Sequence, residues 1–157
     1  MSVAFRRESD EEHKEPRFEL PIPPGPNLVT PRGRALIDAR IAELDAAQAE
    51  AEADEPRREE IARDLRYWQT RRVTAILAPA PPADEIAFGS RVEFTLNGEP
   101  RTIEIVGDDE ADPAAGKIAF SAPLARALIG AGEGDVLPFA GRDDAIEVIA
   151  VEATFAD

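Results

Sequence analysis

Between residues 30 and 78 the apolar side chains fall at helical spacing with little to spare. Ile37, Ile41 and Leu44 recur at steps of four and three, and Ile61, Leu65, Trp68 and the Ala75/Ile76 pair do the same further on, interrupted at Arg72. That spacing puts one narrow apolar seam on each of two helices, enough to zip the pair together and too little to bury either in a larger core. Thr30 followed by Pro31 reads as a helix start, with a hydroxyl to cap free amides and a ring that fits the first turn. Asp54, Glu55 and Pro56 reset the chain in the same way. The segment is therefore predicted to be an antiparallel helical hairpin, a coiled coil with an acidic tip. Helices of about 23 residues would each reach about 35 Å.

A chain of 157 residues has room for one or two small domains. No apolar run approaches the roughly 18 residues that span a membrane, so no membrane association is expected. The first ten residues lack the apolar core of a signal peptide, and with no cysteine the chain fits a cytoplasmic setting. The single histidine, His13, lies in a polar, Pro-rich stretch and is a poor candidate for a base or metal ligand.

The formal charge of −14 is unevenly placed. Residues 1–29 carry four basic and six acidic side chains, the hairpin nine and ten, and the rest five and sixteen. An acidic C-terminal part repels phosphate backbones, which disfavours direct nucleic-acid binding and leaves solubility or a basic protein partner as its use. Within the hairpin, Arg57, Arg58, Arg63, Arg66, Arg71 and Arg72 all fall on the return helix, while Glu50, Glu52, Asp54, Glu55, Glu59 and Glu60 crowd the tip. Pairs such as Glu59 and Arg63 suit a solvated helix surface.

Residues 1–29 mix both charges with five prolines between 16 and 26 and read as a disordered leader, although Phe5, Phe18, Leu20 and Ile22 offer apolar side chains that can dock elsewhere. Pro79, Pro81 and Pro82 stop the second helix and make a stiff linker over 79–84. From 85 to 157 the period changes. Residues 86–96 alternate loosely, Asn97-Gly98 is a type I′ turn signal, and 102–106 returns as the partner strand. A polar loop over 107–113 precedes a third strand marked by Ile118 and Phe120. A short helix at 123–129 follows with Ser121 as a cap, and strands at 136–139 and 145–151 complete an antiparallel sheet. The fold class is α+β: a helical hairpin, then a small sheet domain with one short helix.

No phosphate loop, Cys/His metal spacing or Ser/His pair is present. Asp108, Asp109, Glu110 and Asp112 offer oxygens to a hard cation, but the loop lacks the turn glycine and terminal acid of an EF-hand, and a solvated acidic loop is the better account. Tyr67 and Trp68 suggest a contact surface, with Trp68 assigned to the seam.

Residues 105–112 (Ile-Val-Gly-Asp-Asp-Glu-Ala-Asp), 121–130 (Ser-Ala-Pro-Leu-Ala-Arg-Ala-Leu-Ile-Gly) and 134–136 closely resemble the C-terminal domain of the GreA/GreB transcription elongation factors. Thr30-Pro31-Arg32-Gly33 resembles the start of that family's coiled coil, and the leader resembles the extension of some GreB-like members. The resemblance implies an FKBP-like C-terminal domain that docks on the rim of the secondary channel of bacterial RNA polymerase, with the coiled coil entering the channel. Docking maps onto Ser121, Ala122 and Pro123; Pro123 keeps the family pattern, while Ser121 stands where an acidic residue often sits. In cleaving members, tip acids help hold a second Mg²⁺ that activates the water cutting backtracked RNA, with the polymerase supplying most of the site.

The departure is at the tip. Cleaving members carry an Asp, a Glu three residues later and then an Asn; here Asp54 is followed three residues later by Arg57, then Arg58. The hairpin also counts about three turns shorter per helix, about 16 Å of reach. Asp54 and Glu55 remain the tip candidates for an Mg²⁺ shared with the polymerase active site. The expectation is a monomeric, non-enzymatic elongation factor with no intrinsic cofactor, which meets nucleic acid only within the elongation complex and stimulates cleavage weakly or not at all. The alternatives are an active cleavage factor working through the tip acids, a prolyl isomerase or peptide-binding chaperone, and a free acidic interaction module. An isomerase pocket needs aromatic lining, and this domain has only Phe88, Phe94, Phe120, Phe139 and Phe155.

Overall fold

The computed structural model describes residues 19–157. His13, Phe5 and Phe18 lie outside these residues. The chain forms two compact units. One comprises Ile37–Thr74 with the described part of Met1–Pro24, and the other Gly25–Leu36 with Ala75–Asp157.

Helix α1 runs Pro31–Glu50 and helix α2 Glu55–Thr74, 20 residues each. Each is therefore about 30 Å long, shorter than expected because α1 ends at Glu50, before the turn at 51–53, and α2 at Thr74, ahead of the prolines. An ion pair of 3.2 Å between Asp38, early on α1, and Arg72, late on α2, fixes the arms as antiparallel. Ile37, Ile41, Leu44, Ile61 and Leu65 are buried, as the seam predicts. Beyond Leu65 the seam differs from expectation. Trp68 is only half-buried and stacks edge-to-face on Tyr67, with ring centroids 5.1 Å apart. The next seam position is Arg71, three residues on, which is 2% exposed with its guanidinium 5.9 Å from the Tyr67 ring, whereas Arg72 is exposed. Ile76 is 50% exposed and belongs to a strand.

That strand, β2 (Ile76–Leu77), pairs in parallel with β1 (Leu28–Val29), so the end of the expected leader is ordered. Asn27 and Val29 are buried there, and the carbonyls of Asn27 and Val29 accept from the amides of Ile76 and Ala78. The earlier leader residues from Glu19 have no regular structure, yet Glu19 accepts two hydrogen bonds from Arg66 on α2, at 2.5 and 2.8 Å.

The larger sheet contains β3 (Ser90–Leu96), β4 (Glu99–Val106), β5 (Lys117–Ala119), β6 (Val136–Phe139) and β7 (Arg142–Ala153), in the order β5-β4-β3-β7-β6. Asn97 and Gly98 sit at φ 52 and 87, the positive values a type I′ turn requires, and they set the β3–β4 register. All pairings are antiparallel except β4–β5. The loop over 107–116 carries the chain back along the sheet before β5 begins, so the third strand returns in the direction of β4.

Ile86, Val92, Phe94, Ile105, Ile146 and Val148 pack with Ala125 and Leu128 of α3 (Pro123–Leu128) into one core. Across the other face, Arg91 bonds Glu104 at 3.1 Å and Glu152 at 3.3 Å, and Lys117 lies 3.8 Å from Glu104. These residues are register partners on four adjacent strands, so the charges alternate as a row across the sheet. The hydrogen bond to Glu104 is the main cause that raises the pKa of Arg91.

Candidate functional site

The first candidate region is the hairpin tip. Residues 51–53 turn the chain, Ala51 packs inward, and Asp54 stands before the first residue of α2. Free amides at a helix start need acceptors. Asp54 supplies two: its Oδ1 accepts from the Arg57 amide at 3.2 Å and its carbonyl from the Arg58 amide at 2.9 Å. Asp54 is thus the N-cap of α2, held by a local structural task. Glu55 is exposed in the first helical turn, where a negative charge suits the helix dipole. A hollow of about 250 Å³ beside them is lined by Ala47, Glu50, Ala51, Asp54 and Arg57, which places a guanidinium-bearing residue among the acids. Among the described residues, no group of three or more His, Cys, Asp or Glu side chains is set to hold a metal ion.

The second region is the turn before α3. Ala122 is the N-cap residue, extended at φ −68 and ψ 150 because Pro123 follows it, and it makes no side-chain cap bond. Ser121 does not cap the helix as the sequence suggests. Its hydroxyl instead donates to Asp108 Oδ1 at 3.3 Å. Ser121 and Pro123 are exposed and Ala122 half-buried, so the expected docking residues form one accessible turn. Behind it Phe120 stacks edge-to-face on Phe88 at 5.5 Å, while Phe94 is a core residue at 1% exposure.

The loop over 107–112 departs from the expected solvated acidic loop. Glu110 is 7% exposed and accepts a hydrogen bond of 2.5 Å from the Thr30 hydroxyl. Thr30 also accepts from the Gly33 amide at 2.9 Å, the expected cap of α1. A side chain at Gly33 would start 3.0 Å from the Glu110 carboxylate, and one at Gly107 would start 2.3 Å from the Leu28 carbonyl oxygen. Both glycines therefore permit close approach between segments distant in sequence. A cleft of about 210 Å³ lies beside this contact, lined by residues including Arg32, Glu104 and Phe155. Thr30 and Glu110 are 80 residues apart, so no local spacing could have joined them.

A third feature lies on the hairpin. Glu19, Leu20 and Ile22 share a groove of about 510 Å³ with Arg66, Tyr67, Val73 and neighbouring residues of α2. The hydrogen bond from Arg66 lowers the pKa of Glu19 below its ordinary value, and the same bond raises that of Arg66. Among the described residues, no helix is long and apolar enough to cross a membrane.

The model of the family "Transcription elongation factor, GreA/GreB, C-term" matches residues 81–153. The chain is 39% identical over 115 residues to the transcription elongation factor GreA of Thioalkalivibrio sulfidiphilus, covering 71% of this chain and 70% of that one. It is 41% identical over 98 residues to GreA of Pseudomonas aeruginosa, covering 61% and 60%. Against GreB of Neisseria meningitidis it is 38% identical over 104 residues, covering 61% and 63%. Among solved structures, the GreA factor homolog 1 protein of Thermus thermophilus aligns with 19% identity over 82% of this chain and 100% of that one, at a TM-score of 0.39. On the relative that it covers over two thirds, together with the matched domain, this chain belongs to the GreA/GreB family of transcription elongation factors.

Proposed function

We infer that this chain regulates elongation by docking on RNA polymerase at the rim of the secondary channel, through the turn of Ser121, Ala122 and Pro123. The hairpin then occupies the channel with weak or no stimulation of transcript cleavage. Membership of a family whose relatives are named transcription elongation factors supports the polymerase as partner. The acidic C-terminal surface, which repels phosphate backbones, supports contact with protein rather than direct contact with nucleic acid. The observation that supports weak or absent stimulation is the tip, where Asp54 Oδ1 caps α2 and Arg57 occupies the position three residues on.

The tip by itself does not fit a metal ion. Its hollow holds Asp54 and Glu50 beside Arg57, and a third ligand is not gathered there. In this reading the chain carries no intrinsic cofactor and is not an enzyme on its own. Any Mg²⁺ contact through Asp54 or Glu55 is shared with the polymerase active site. A single copy suffices, because the helices zip to each other.

Pull-down with purified core polymerase at moderate salt tests the docking. Binding is expected, and a Pro123→Arg variant that keeps the wild-type circular dichroism should lose it. No binding by the unaltered chain would favour a free interaction module instead.

A further inference from the structure

The loop over 107–112 touches three separate parts of its unit within four residues. Gly107 lies against the Leu28 carbonyl on β1, where a Cβ would start at 2.3 Å. Asp108 Oδ1 accepts from the Ser121 hydroxyl in the turn before α3. Glu110 turns back, its amide donating to the Gly107 carbonyl at 3.2 Å, and buries its carboxylate against Thr30 at the start of α1. Its acceptor oxygen meets the donor hydroxyl at a helix N-terminus, where a negative charge is favoured. The helix that begins at this turn runs on into the hairpin.

We propose that this loop couples the docking turn to the root of the hairpin, with Glu110 as a positioning residue. It anchors the first turn of α1, through which any displacement of the docking turn reaches the helix. The proposal rests on the docking reading above. Docking affinity belongs to the exposed turn, whereas the effect on transcription needs α1 held at its root. Glu110 is buried and faces Thr30, so it serves the second role and not the first.

Hydrogen exchange on the free full-length chain tests the anchorage without any polymerase. Glu110→Ala and Thr30→Val should speed exchange of the Gly33 and Arg34 amides about tenfold, the size of losing one buried hydrogen bond. Sheet amides should stay as protected as in the unaltered chain. Glu110→Gln and Thr30→Ser, which keep an acceptor and a donor, should restore the slow rate. With polymerase, the Ala and Val variants should bind as tightly as the unaltered chain yet lose most of its effect on elongation, and the conservative pair should keep both. Unchanged exchange in Glu110→Ala overturns the proposal. So does an affinity that falls in step with the effect, which would make Glu110 part of the docking surface. If the unaltered chain fails to bind polymerase, the docking reading falls, and the exchange result still judges the anchorage.

Discussion

Replacing Asp54 by asparagine or by alanine separates a structural task from a chemical one. In the structure the Asp54 carboxylate accepts from the Arg57 amide at 3.2 Å as the cap of α2. Asparagine keeps an acceptor oxygen at that position and loses only the charge, so Asp54→Asn should cost a few tenths of a kcal/mol through the helix dipole. Alanine removes the acceptor and should cost about 1 kcal/mol. For a chain of this size that is a fall in Tm of about 2–4 °C. Circular dichroism melting of the full chain reads the difference, and transcript cleavage in backtracked complexes is measured on the same preparations. The expected result is a clear fall in Tm for alanine and one of about 1 °C or less for asparagine, with cleavage unmoved in both variants. Loss of cleavage in Asp54→Asn with Tm nearly unchanged would overturn the purely structural role of Asp54, because the charge would then act on the chemistry and not on the helix.

Arg71 and Arg72 are neighbours with opposite burial. Arg71→Ala should destabilise the hairpin by about 2 kcal/mol or more by emptying a buried polar site, and Arg72→Ala by about 0.5 kcal/mol or less, because its pair with Asp38 is exposed; equal losses in urea melts would contradict the burial. Gly107→Ala drives a Cβ to 2.3 Å from the Leu28 carbonyl oxygen and should cost about 1–3 kcal/mol, detected as a lower unfolding midpoint. Glu19 titrates below its ordinary value because Arg66 hydrogen-bonds its charged form. Its contact with α2 is therefore present above the usual carboxylate range and is lost as pH falls through the lowered value. An NMR titration of the Glu19 carboxyl should show that lowered value, and Arg66→Ala should return it to the ordinary one.

What was legible in the sequence follows the range of the forces involved. The seam of Ile37, Ile41, Leu44, Ile61 and Leu65 and the Asn97-Gly98 turn are local patterns, and the structure repeats them. The caps at Thr30 and Asp54 are equally local. Pairing between distant segments leaves no such trace. The parallel pairing of Leu28–Val29 with Ile76–Leu77 joins two-residue strands too short to show a period. Glu110 reads as one more acid in a polar loop until the fold brings Thr30 to it. Arg71 breaks the apolar rule of its seam, so periodicity assigned the break to Arg72 and carried the helix on to Ile76. At the candidate site the motifs drew attention to the turn before α3 and to the hairpin tip. They could not indicate that Ser121 bonds Asp108 rather than capping α3.

In the proposed function the chain occupies the polymerase and brings no more than weak stimulation of cleavage to it. The most direct measurement is the transcript-cleavage rate in stalled, backtracked complexes saturated with the chain, with binding followed in the same samples. The expected rate stays at, or only slightly above, the polymerase's own intrinsic level while the chain remains bound. Strong stimulation that disappears in Asp54→Ala/Glu55→Ala, with binding retained, would contradict it.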